Sequence, residues 1–451
     1  MVSYIPHSDS EIREMLEAIG VKSLDDLFSD IPDSYRLKEE LSLPKALSEM
    51  EVERLARNIA DKNTPTSTHI SFLGGGLYDH YIPALVDVIA SRPEFYTAYT
   101  PYQAEVSQGT LQTLYEYQSL VCELTKMDVS NASMYDGATA LAEAALMAIA
   151  INGKTKVLVS GCLHPHYTDV IKTYVGEGRV EQIPEKDGKT STAALGNMMD
   201  ENVSCVVVQH PNFFGVLEDV EEVGEMAHRN GALYIASPLP ISLGVLEPPG
   251  EYGVDIAACE GQTLGIPQQF GGPCLGIFAT KREYVRKMPG RIIGETIDGE
   301  GKRGFVLTLQ TREQHIRREK ATSNICTNES LCAIRACVYM ALMGKEGMRR
   351  VGELGVRGAH ILAEKIENIP GFDIKYRPFL NEFVVLTPVN AELIIEKLAS
   401  KGIFAGIPLK RFYKERDNEL LVAVTEKRTD EDINYFVESS EAVAKGAFPR
   451  F

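Results

Sequence analysis

The sequence predicts an α/β fold with a large domain built on a mostly parallel sheet, followed by a small C-terminal α+β domain. Short apolar runs such as Cys205–Val208 alternate with helical segments such as Val220–Arg229. Strands of a parallel sheet are covered by helices on both faces, so they are continuous apolar runs rather than alternating ones. After Gly344 the order changes to helix, strand and helix, which indicates a second, compact domain.

Composition and charge restrict the functions that we consider. The chain has 451 residues, of which 44% are hydrophobic and 24% charged, as in ordinary globular proteins. Its net charge of −17 repels nucleic acid and acidic lipid surfaces, and no apolar stretch approaches membrane-spanning length. The 8 cysteines are scattered, without zinc-site spacing. We therefore predict a cytoplasmic protein with reduced thiols, no metal site, and no nucleic-acid or membrane partner.

Three segments are predicted along the chain. Residues 1–65 form a helical N-terminal arm, because serines such as Ser8 precede an acidic residue three positions later, here Glu11. Residues 66–328 form the large domain, and residues 329–451 hold a connecting helix and the small domain. Short polar helices bury too little apolar surface for a core of their own, so we expect the arm to lie across another surface.

A cluster of tyrosines lies within residues 95–109. Tyr96, Tyr99 and Tyr102 are interspersed with proline and polar residues in a pattern typical of neither an amphipathic helix nor a strand. The tyrosines can simply pack against their own domain, since tyrosine is commonly half-buried. Their concentration beside Gln103 also fits a loop that presents hydrogen-bonding groups to a ligand or a partner.

Small residues precede the helix predicted over Leu141–Ile151. Asp136 and Thr139 lie in the run Asn131–Ala140, where free backbone N–H groups and the helix dipole would attract an anion. Asp136 can equally serve as an ordinary helix cap. The segment therefore predicts a helix start, with an anion site as one of two interpretations.

The stretch Asp255–Thr280 joins the apolar runs Ile256–Cys259 and Leu275–Ala279 through a loop rich in glycine and proline. Such runs are typical of buried strands. The loop resembles the one that carries the Schiff-base lysine in pyridoxal-phosphate enzymes of fold type I, the aspartate aminotransferase fold. Gln262 aligns with that lysine, and an amide forms no imine. A fold that never held a cofactor explains the glycines equally well.

The same resemblance implies roles for further positions. The segment with Asp136 and Thr139 corresponds to the cofactor phosphate cup. His164 corresponds to the residue that stacks on the pyridine ring, although it can also be a solvated loop residue. Ala236 stands where the fold has an aspartate that pairs with the pyridine nitrogen, and without that carboxylate the ring is a poor electron sink. The sequence therefore predicts the frame of the fold without its catalytic centre.

Charges of alternating sign run through the segment Thr308–Thr327. This pattern is typical of a solvated helix face. Arg317 and Arg318 within it could also meet an anion or a partner. We predict a solvated, charged helix, followed by a connecting helix over Glu329–Met343 that joins the two domains.

Several strings along the chain match one family closely. They are Tyr4–His7, Arg13–Leu16, Tyr99–Gln103, Ala132–Ala140, Gly261–Gly265 and Arg312–Arg318. The strings TPYQ and REQHIRR are too specific for chance. The chain resembles the family of alpha subunits (subunit 1) of bacterial glycine dehydrogenase (decarboxylating), the P-protein of the glycine cleavage system.

The resemblance implies a heterotetramer of two alpha and two beta subunits, all with the aminotransferase fold. The complex would decarboxylate glycine and transfer the aminomethyl group to the lipoyl-lysine of H-protein, releasing CO2. Pyridoxal phosphate is expected on the beta subunit and not covalently on this chain, a non-catalytic paralogue with no complete catalytic set. Loops of one subunit complete the other's site in fold-type-I dimers, so Tyr96, Tyr99, Tyr102 and Gln103 are expected to line the beta-subunit site.

Two alternatives stay open at this point. The chain could be a self-sufficient pyridoxal-phosphate enzyme that uses another lysine, but Lys281 follows the outgoing strand and Lys320 lies in the charged segment. It could also be a regulatory binding module that kept the fold. A dinucleotide enzyme is excluded, because no Gly-x-Gly-x-x-Gly string joins a predicted strand to a helix with an acidic residue at the expected distance.

Overall fold

The computed structural model describes residues 6–39, 41–325 and 328–447. The chain forms two compact units, divided between Thr64 and Pro65. Tyr4 and Ile5 of the first family string, and Cys326 and Thr327 of the charged segment, lie outside the described residues.

The described part of the N-terminal unit contains helices α1 (Asp9–Ile19) and α2 (Glu49–Ala60). Ser8 and Ser48 cap them as predicted: each serine side chain accepts a hydrogen bond from the backbone N–H three residues later, and the acidic side chain there accepts one in return. Gly20 ends α1 at φ 87°, a left-handed conformation that glycine adopts without strain.

The first strand of the second unit pairs with a strand from the C-terminal part of the chain and not with the large-domain sheet. Strand β1 (Ile70–Ser71) pairs with β15 (Ile403–Phe404) in parallel, and Phe72 is buried in the C-terminal core. Residues just after the predicted start of the large domain therefore belong structurally to the small one. The boundaries of the three predicted segments stay predictions.

The large domain is built on a seven-stranded sheet. Its strands, in spatial order, are β2 (Val129–Ser130), β10 (Gly276–Thr280), β9 (Ile256–Glu260), β8 (Leu233–Pro238), β7 (Val203–His210), β3 (Lys156–Ser160) and β4 (Val180–Ile183). The pairs from β9 to β4 are parallel, and β10 is antiparallel to both its neighbours. The predicted mostly parallel sheet is confirmed.

Helices surround this sheet. They are α3 (Ala84–Ala90), α4 (Pro93–Tyr96), α5 (Gln108–Thr125), α6 (Gly137–Asn152), α7 (Pro165–Val175), α8 (Thr192–Met198), α9 (Val220–Arg229), α10 (Gln314–Arg317) and α11 (Ser330–Glu367). Val206 and Val208 of β7 pack in a core with residues of α5, α9 and α11, whereas Val207 packs in a second core with α6 and α7. Both faces of the sheet are thus covered, which explains the unbroken apolar runs.

Two hairpins and the small domain complete the second unit. The hairpin strands are β5 (Glu185–Lys186), β6 (Lys189–Thr190), β11 (Ile292–Ile297) and β12 (Arg303–Thr308). The small domain contains β13 (Asp373–Ile374), β14 (Glu382–Leu386), β17 (Glu419–Ala423) and β16 (Ile407–Pro408) in one sheet, with α12 (Ala391–Ala399) and α13 (Asp430–Ala447). Helix α11 joins the domains and is interrupted at Gly344, where φ is 57° and ψ is −173°. Within the described residues, no helix is both long and apolar enough to cross a bilayer.

Candidate functional site: a closed pocket and an exposed tyrosine loop

Gln262 lies just beyond the end of β9 and is buried. Its Oε1 accepts a hydrogen bond from the backbone N–H of Tyr78 at 2.9 Å. Its Nε2 donates to the carbonyl oxygens of Tyr78 at 3.2 Å and of Ile266 at 2.7 Å. The amide therefore fastens the Tyr78 segment to the glycine-rich loop and uses both of its N–H donors within this chain.

Glu260, the last residue of β9, holds the start of α6. Its Oε2 accepts a hydrogen bond from the backbone N–H of Gly137 at 2.9 Å, and its Oε1 accepts from those of Gln262 and Leu275, also at 2.9 Å. A Cβ at Gly137 would lie 2.6 Å from the Glu260 nitrogen, so glycine is required for this approach. Burial raises the pKa of Glu260 to about 7, against the three N–H donors that favour the carboxylate.

The carboxylate of Glu260 thus occupies the helix N-terminus at which the sequence predicted an anion site. Sequence reasoning missed Glu260. The available signal was an acidic residue at the end of a strand that is otherwise apolar, Ile256–Glu260. Asp136 and Thr139 form a reciprocal cap instead: Asp136 accepts from the Thr139 N–H at 2.7 Å, and Thr139 Oγ1 accepts from the Asp136 N–H at 3.3 Å. The helix-cap interpretation of Asp136 is confirmed.

His164 is buried at the start of α7, so its interpretation as a solvated loop residue is wrong. Its Nδ1 accepts from the His166 N–H at 3.1 Å, which leaves Nε2 to donate to the Gly75 carbonyl at 2.9 Å. The ring stacks on Tyr167, with 4.8 Å between ring centroids. Burial lowers the pKa of His164 to about 4, so the ring is neutral. Ala236 lies in β8 and is buried in the apolar core.

A small cavity of about 30 Å³ lies among these elements, lined by side chains that include Tyr78, Tyr167, Ser237, Glu260 and Glu382. Cofactor-sized sites span roughly 300 Å³ or more, whereas this volume suits about one water molecule. The two carboxylates in the cavity wall, Glu260 and Glu382, already have partners. Glu382 accepts hydrogen bonds from the Tyr78 hydroxyl at 2.8 Å and from the Gly75 N–H at 2.7 Å.

The residues of this pocket do not fit pyridoxal phosphate. Gln262 offers no amine, Glu260 puts a carboxylate where the phosphate would bind, and the cavity is far too small. The lysines of the self-sufficient alternative are no better placed. Lys281 forms an ion pair of 2.5 Å with Asp255, and Lys320 is exposed in a short 3-10 turn.

The tyrosine loop follows α4 and has the opposite character. Tyr96, Tyr99 and Tyr102 are 68%, 72% and 49% exposed, and Gln103 is also exposed. A short 3-10 turn, Ala104–Val106, connects the loop to α5. Packing against their own domain does not account for tyrosines with this much exposed surface, although Tyr102 also makes contacts with neighbouring side chains.

The charged segment beneath this loop is not the predicted solvated helix. It forms a 3-10 turn (Gln310–Arg312), the single turn α10, and a second 3-10 turn (Arg318–Lys320). Arg312 and Glu313 are buried, whereas Arg317 and Arg318 are exposed as expected. The prediction was wrong for the two buried residues because Arg312 turns inward to donate to the carbonyl oxygens of Leu309, Met288 and Gly290.

Comparison with known proteins identifies the family. The family model of the glycine cleavage system P-protein matches residues 2–439. A protein of Chlorobium phaeobacteroides described as probable glycine dehydrogenase (decarboxylating) subunit 1 is 56% identical over 439 residues, covering 96% of this chain and 98% of that protein. Its counterpart in Chlorobaculum tepidum is 53% identical over 98% of this chain and all of that protein.

Solved structures agree with this match. The inhibitor-bound glycine decarboxylase (P-protein) of the glycine cleavage system superposes with a TM-score of 0.90 at 44% identity, covering 98% of this chain and all of that one. The sphingosine-1-phosphate lyase of Burkholderia pseudomallei superposes with a TM-score of 0.66 at 11% identity, over 91% of this chain and 93% of that one, which shows the fold alone. The predicted fold class, that of fold-type-I pyridoxal-phosphate enzymes, is confirmed. The chain belongs to the glycine cleavage system P-protein family.

Proposed function

We propose that this chain is the alpha subunit of a two-alpha, two-beta P-protein complex. With its beta subunit it carries out the pyridoxal-phosphate-dependent decarboxylation of glycine and transfers the aminomethyl group to the lipoyl-lysine of H-protein, releasing CO2. The cofactor is carried by the beta subunit. The cytoplasmic location predicted from the sequence is part of the same proposal.

The observation that carries this division of labour is the closed pocket. Gln262 and Glu260 make six hydrogen bonds to backbone groups of this chain, three each, at the positions of the Schiff-base lysine and the phosphate cup. A chain that retained its own chemistry would keep donors and acceptors available for cofactor and substrate. This chain uses them internally, which supports a reaction centre on another subunit.

The contribution of this chain to the reaction is its exposed tyrosine loop. Tyr96, Tyr99, Tyr102 and Gln103 line the entrance of the beta-subunit site, where the phenol hydroxyls and the amide hydrogen-bond to substrate and exclude water. Tyrosine combines an aromatic ring with a polar hydroxyl and is enriched at protein interfaces, where it becomes buried when the partner binds. The exposure of Tyr96 and Tyr99 in the single chain supports this role.

The test is glycine–bicarbonate exchange with lipoylated H-protein, measured on this chain alone and mixed with its beta subunit. Both samples contain excess pyridoxal phosphate, and unlipoylated H-protein serves as the control. We expect neither activity nor a visible band of covalently bound cofactor from the chain alone, and both upon mixing. Activity or a borohydride-trappable imine in the isolated chain would overturn the proposal and restore the self-sufficient alternative. A cofactor band that appears on mixing without exchange activity would favour the binding-module alternative.

A further inference from the structure

A buried arginine supports the exposed tyrosine loop from below. Arg291 precedes strand β11 and is 6% exposed. Its Nη2 donates a hydrogen bond to the Tyr102 hydroxyl at 2.9 Å, and its guanidinium carbon lies 5.2 Å from the centroid of the Tyr102 ring. The arginine therefore contacts both the polar and the aromatic part of one tyrosine.

A buried glutamate holds this arginine in place. Glu313 is 5% exposed, and its Oε2 lies 3.3 Å from Arg291 Nε. The same oxygen lies 3.6 Å from His315 Nδ1, and the His315 ring meets the Tyr102 ring edge-on at 6.0 Å. Tyr102, Arg291, Glu313 and His315 thus form a closed ring of contacts between the tyrosine loop and the REQHIRR string.

The backbone that carries Arg291 is fixed from two sides. Arg312 donates to the carbonyl oxygens of Met288 and Gly290, the second of them directly before Arg291. On the other side, Gln118 of α5 bonds both backbone groups of Ile293, donating to its carbonyl at 3.0 Å and accepting from its N–H at 2.9 Å. Arg291 therefore projects from a short segment with little freedom.

The hairpin that separates Arg291 from Glu313 is fixed to the same helix. Gln108, the first residue of α5, donates to the Phe305 carbonyl at 2.8 Å and accepts from the Phe305 N–H at 2.9 Å. Helix α5 is also the element into which the tyrosine loop leads. Loop, hairpin and helix thus form a single frame, and a rigid frame is what precise placement of a site residue requires.

We propose that Arg291 is the positioning residue of the tyrosine loop: held by Glu313, it fixes Tyr102 and thereby sets where Tyr96 and Tyr99 reach the partner site. This inference rests on the proposed function, since it gives the loop its task. It also assigns a role to the REQHIRR string. The buried residues of that string, Arg312 and Glu313, hold Arg291 in place and do not bind a ligand. Arg291 acts through Tyr102 and does not contact substrate itself.

The first test measures the loop directly, in the complex with the beta subunit. The Tyr102 N–H donates to Thr100 O at 2.8 Å and the Val106 N–H to Gln103 O at 3.3 Å, so hydrogen exchange reports whether these turns hold. We expect Arg291→Lys to accelerate exchange of both amides severalfold, because lysine lacks the planar guanidinium that contacts both Glu313 and Tyr102. Tyr102→Phe removes only the hydroxyl and should also accelerate exchange of both amides. If Arg291→Lys does not fold, the exchange measured in Tyr102→Phe tests the inference instead.

A nearby arginine offers a matched control. Arg303 lies 5.0 Å from the Phe305 ring centroid and 2.7 Å from Glu295, so it has an aromatic and an acidic contact of the same kind without touching the loop. Arg303→Lys should leave exchange of the Tyr102 and Val106 amides unchanged. Unchanged exchange in Arg291→Lys as well would overturn the inference, whatever the activity.

The second test is a double-mutant cycle on glycine–bicarbonate exchange. We expect Arg291→Lys to lower kcat at least about tenfold, because a misplacement of about 1 Å can cost about a hundredfold. If Arg291 acts through Tyr102, the double variant with Tyr102→Phe is no slower than the slower single variant. Independent, multiplying effects would overturn the inference. Faster loop exchange with full activity would support the positioning role of Arg291 and refute the proposed function of the loop.

Discussion

The closed pocket and the tyrosine loop differ in how far their side chains are exposed to solvent. In the pocket, Gln262, Glu260 and Glu382 are all buried, and each meets at least two protein groups at distances of 2.7–3.2 Å. In the loop, Tyr96 and Tyr99 leave about two-thirds or more of their surface to solvent. The polar groups of the pocket are therefore enclosed by this chain, whereas the loop presents most of the surface of these two tyrosines to solvent.

The difference is what we expect of a chain that leaves the cofactor to its partner, as we propose for this one. A buried donor or acceptor without a partner is destabilising, so a pocket that no longer binds a cofactor must find internal partners for its polar groups. The glutamine amide and the glutamate carboxylate meet that need here. An exposed loop is under less pressure of this kind, because water can reach its polar groups.

The largest effect is expected where the pocket is closed, at Glu260. Glu260→Ala leaves the N–H groups of Gly137, Gln262 and Leu275 buried without an acceptor, which should lower the free energy of unfolding by about 4 kcal/mol. Urea unfolding measures this. Glu251→Ala, at an exposed glutamate of the turn before β9, is the control and should change stability by less than about 0.5 kcal/mol. A loss below about 1 kcal/mol at Glu260 would mean that water replaces the carboxylate.

The next effect concerns the pH dependence of the pocket. Burial raises the pKa of Glu382 from 4.5 to about 7, so between these values the folded chain binds more protons at this site than the unfolded chain. The stability that the neutral form contributes is present below pH 4.5 and lost as the pH rises through 7, a change of up to about 3 kcal/mol. Glu382→Gln cannot ionise and should lack this part of the decline.

Urea unfolding at pH 5 and pH 8 tests this expectation in the wild-type chain and in Glu382→Gln. The wild-type chain should lose more stability between the two pH values than the variant does. Glu260, whose pKa is also raised, stays in both proteins, so the difference between the two profiles reports Glu382 together with its coupling to Glu260 in the same cavity. Parallel pH profiles would show that Glu382 is ionised in the folded chain at both pH values, with the Tyr78 hydroxyl and the Gly75 N–H sufficient to hold it.

A smaller effect, on activity and not on stability, is expected in the loop. Tyr99→Ala should reduce glycine–bicarbonate exchange of the mixed complex about tenfold, or about 1.4 kcal/mol, and leave the unfolding free energy of the isolated chain nearly unchanged. Tyr174→Ala, at a partly exposed tyrosine of α7, is the matched control and should retain full exchange. Equal activity in the two variants would separate the loop from the partner site.

Sequence reasoning proposed pocket positions but not their contacts. The cofactor positions of Gln262 and Ala236 stay predictions, which rest on the local pattern of a strand, a glycine-rich loop and a helix. The role of Glu260 could not be predicted, since its contact with Gly137 spans 123 residues and depends on how β9 packs against α6. The burial of His164 could not be predicted either, because the Gly75 carbonyl and the Tyr167 ring that contact it come from tertiary packing.

The tyrosine loop and the charged segment show the same limit: contacts between residues distant in sequence could not be predicted. The irregular pattern of the tyrosine segment predicted a loop, and residues 98–103 form neither helix nor strand, although Tyr96 is the last residue of α4. The alternating charges after Thr308 predicted a solvated helix, a rule that considers only neighbours in sequence. Arg312 and Glu313 are buried because carbonyl oxygens near residue 290 and the Arg291 guanidinium meet them in space. A rule based on residue spacing has no access to such partners.

The smallest expected effect is that restoring a lysine in the pocket does not restore cofactor binding. This result tests directly whether the pocket, unlike the loop, is closed to a ligand. Gln262→Lys restores the amine that an imine needs, yet we expect no visible cofactor band and no borohydride-trapped adduct when the variant is mixed with pyridoxal phosphate. Glu260 would still hold the N-terminus of α6 with its carboxylate, and a cofactor phosphate would have to displace that carboxylate to bind there. The wild-type complex with its beta subunit is the positive control. A band in Gln262→Lys alone would mean that one lost lysine, and not the closure of the pocket, separates this chain from a working enzyme.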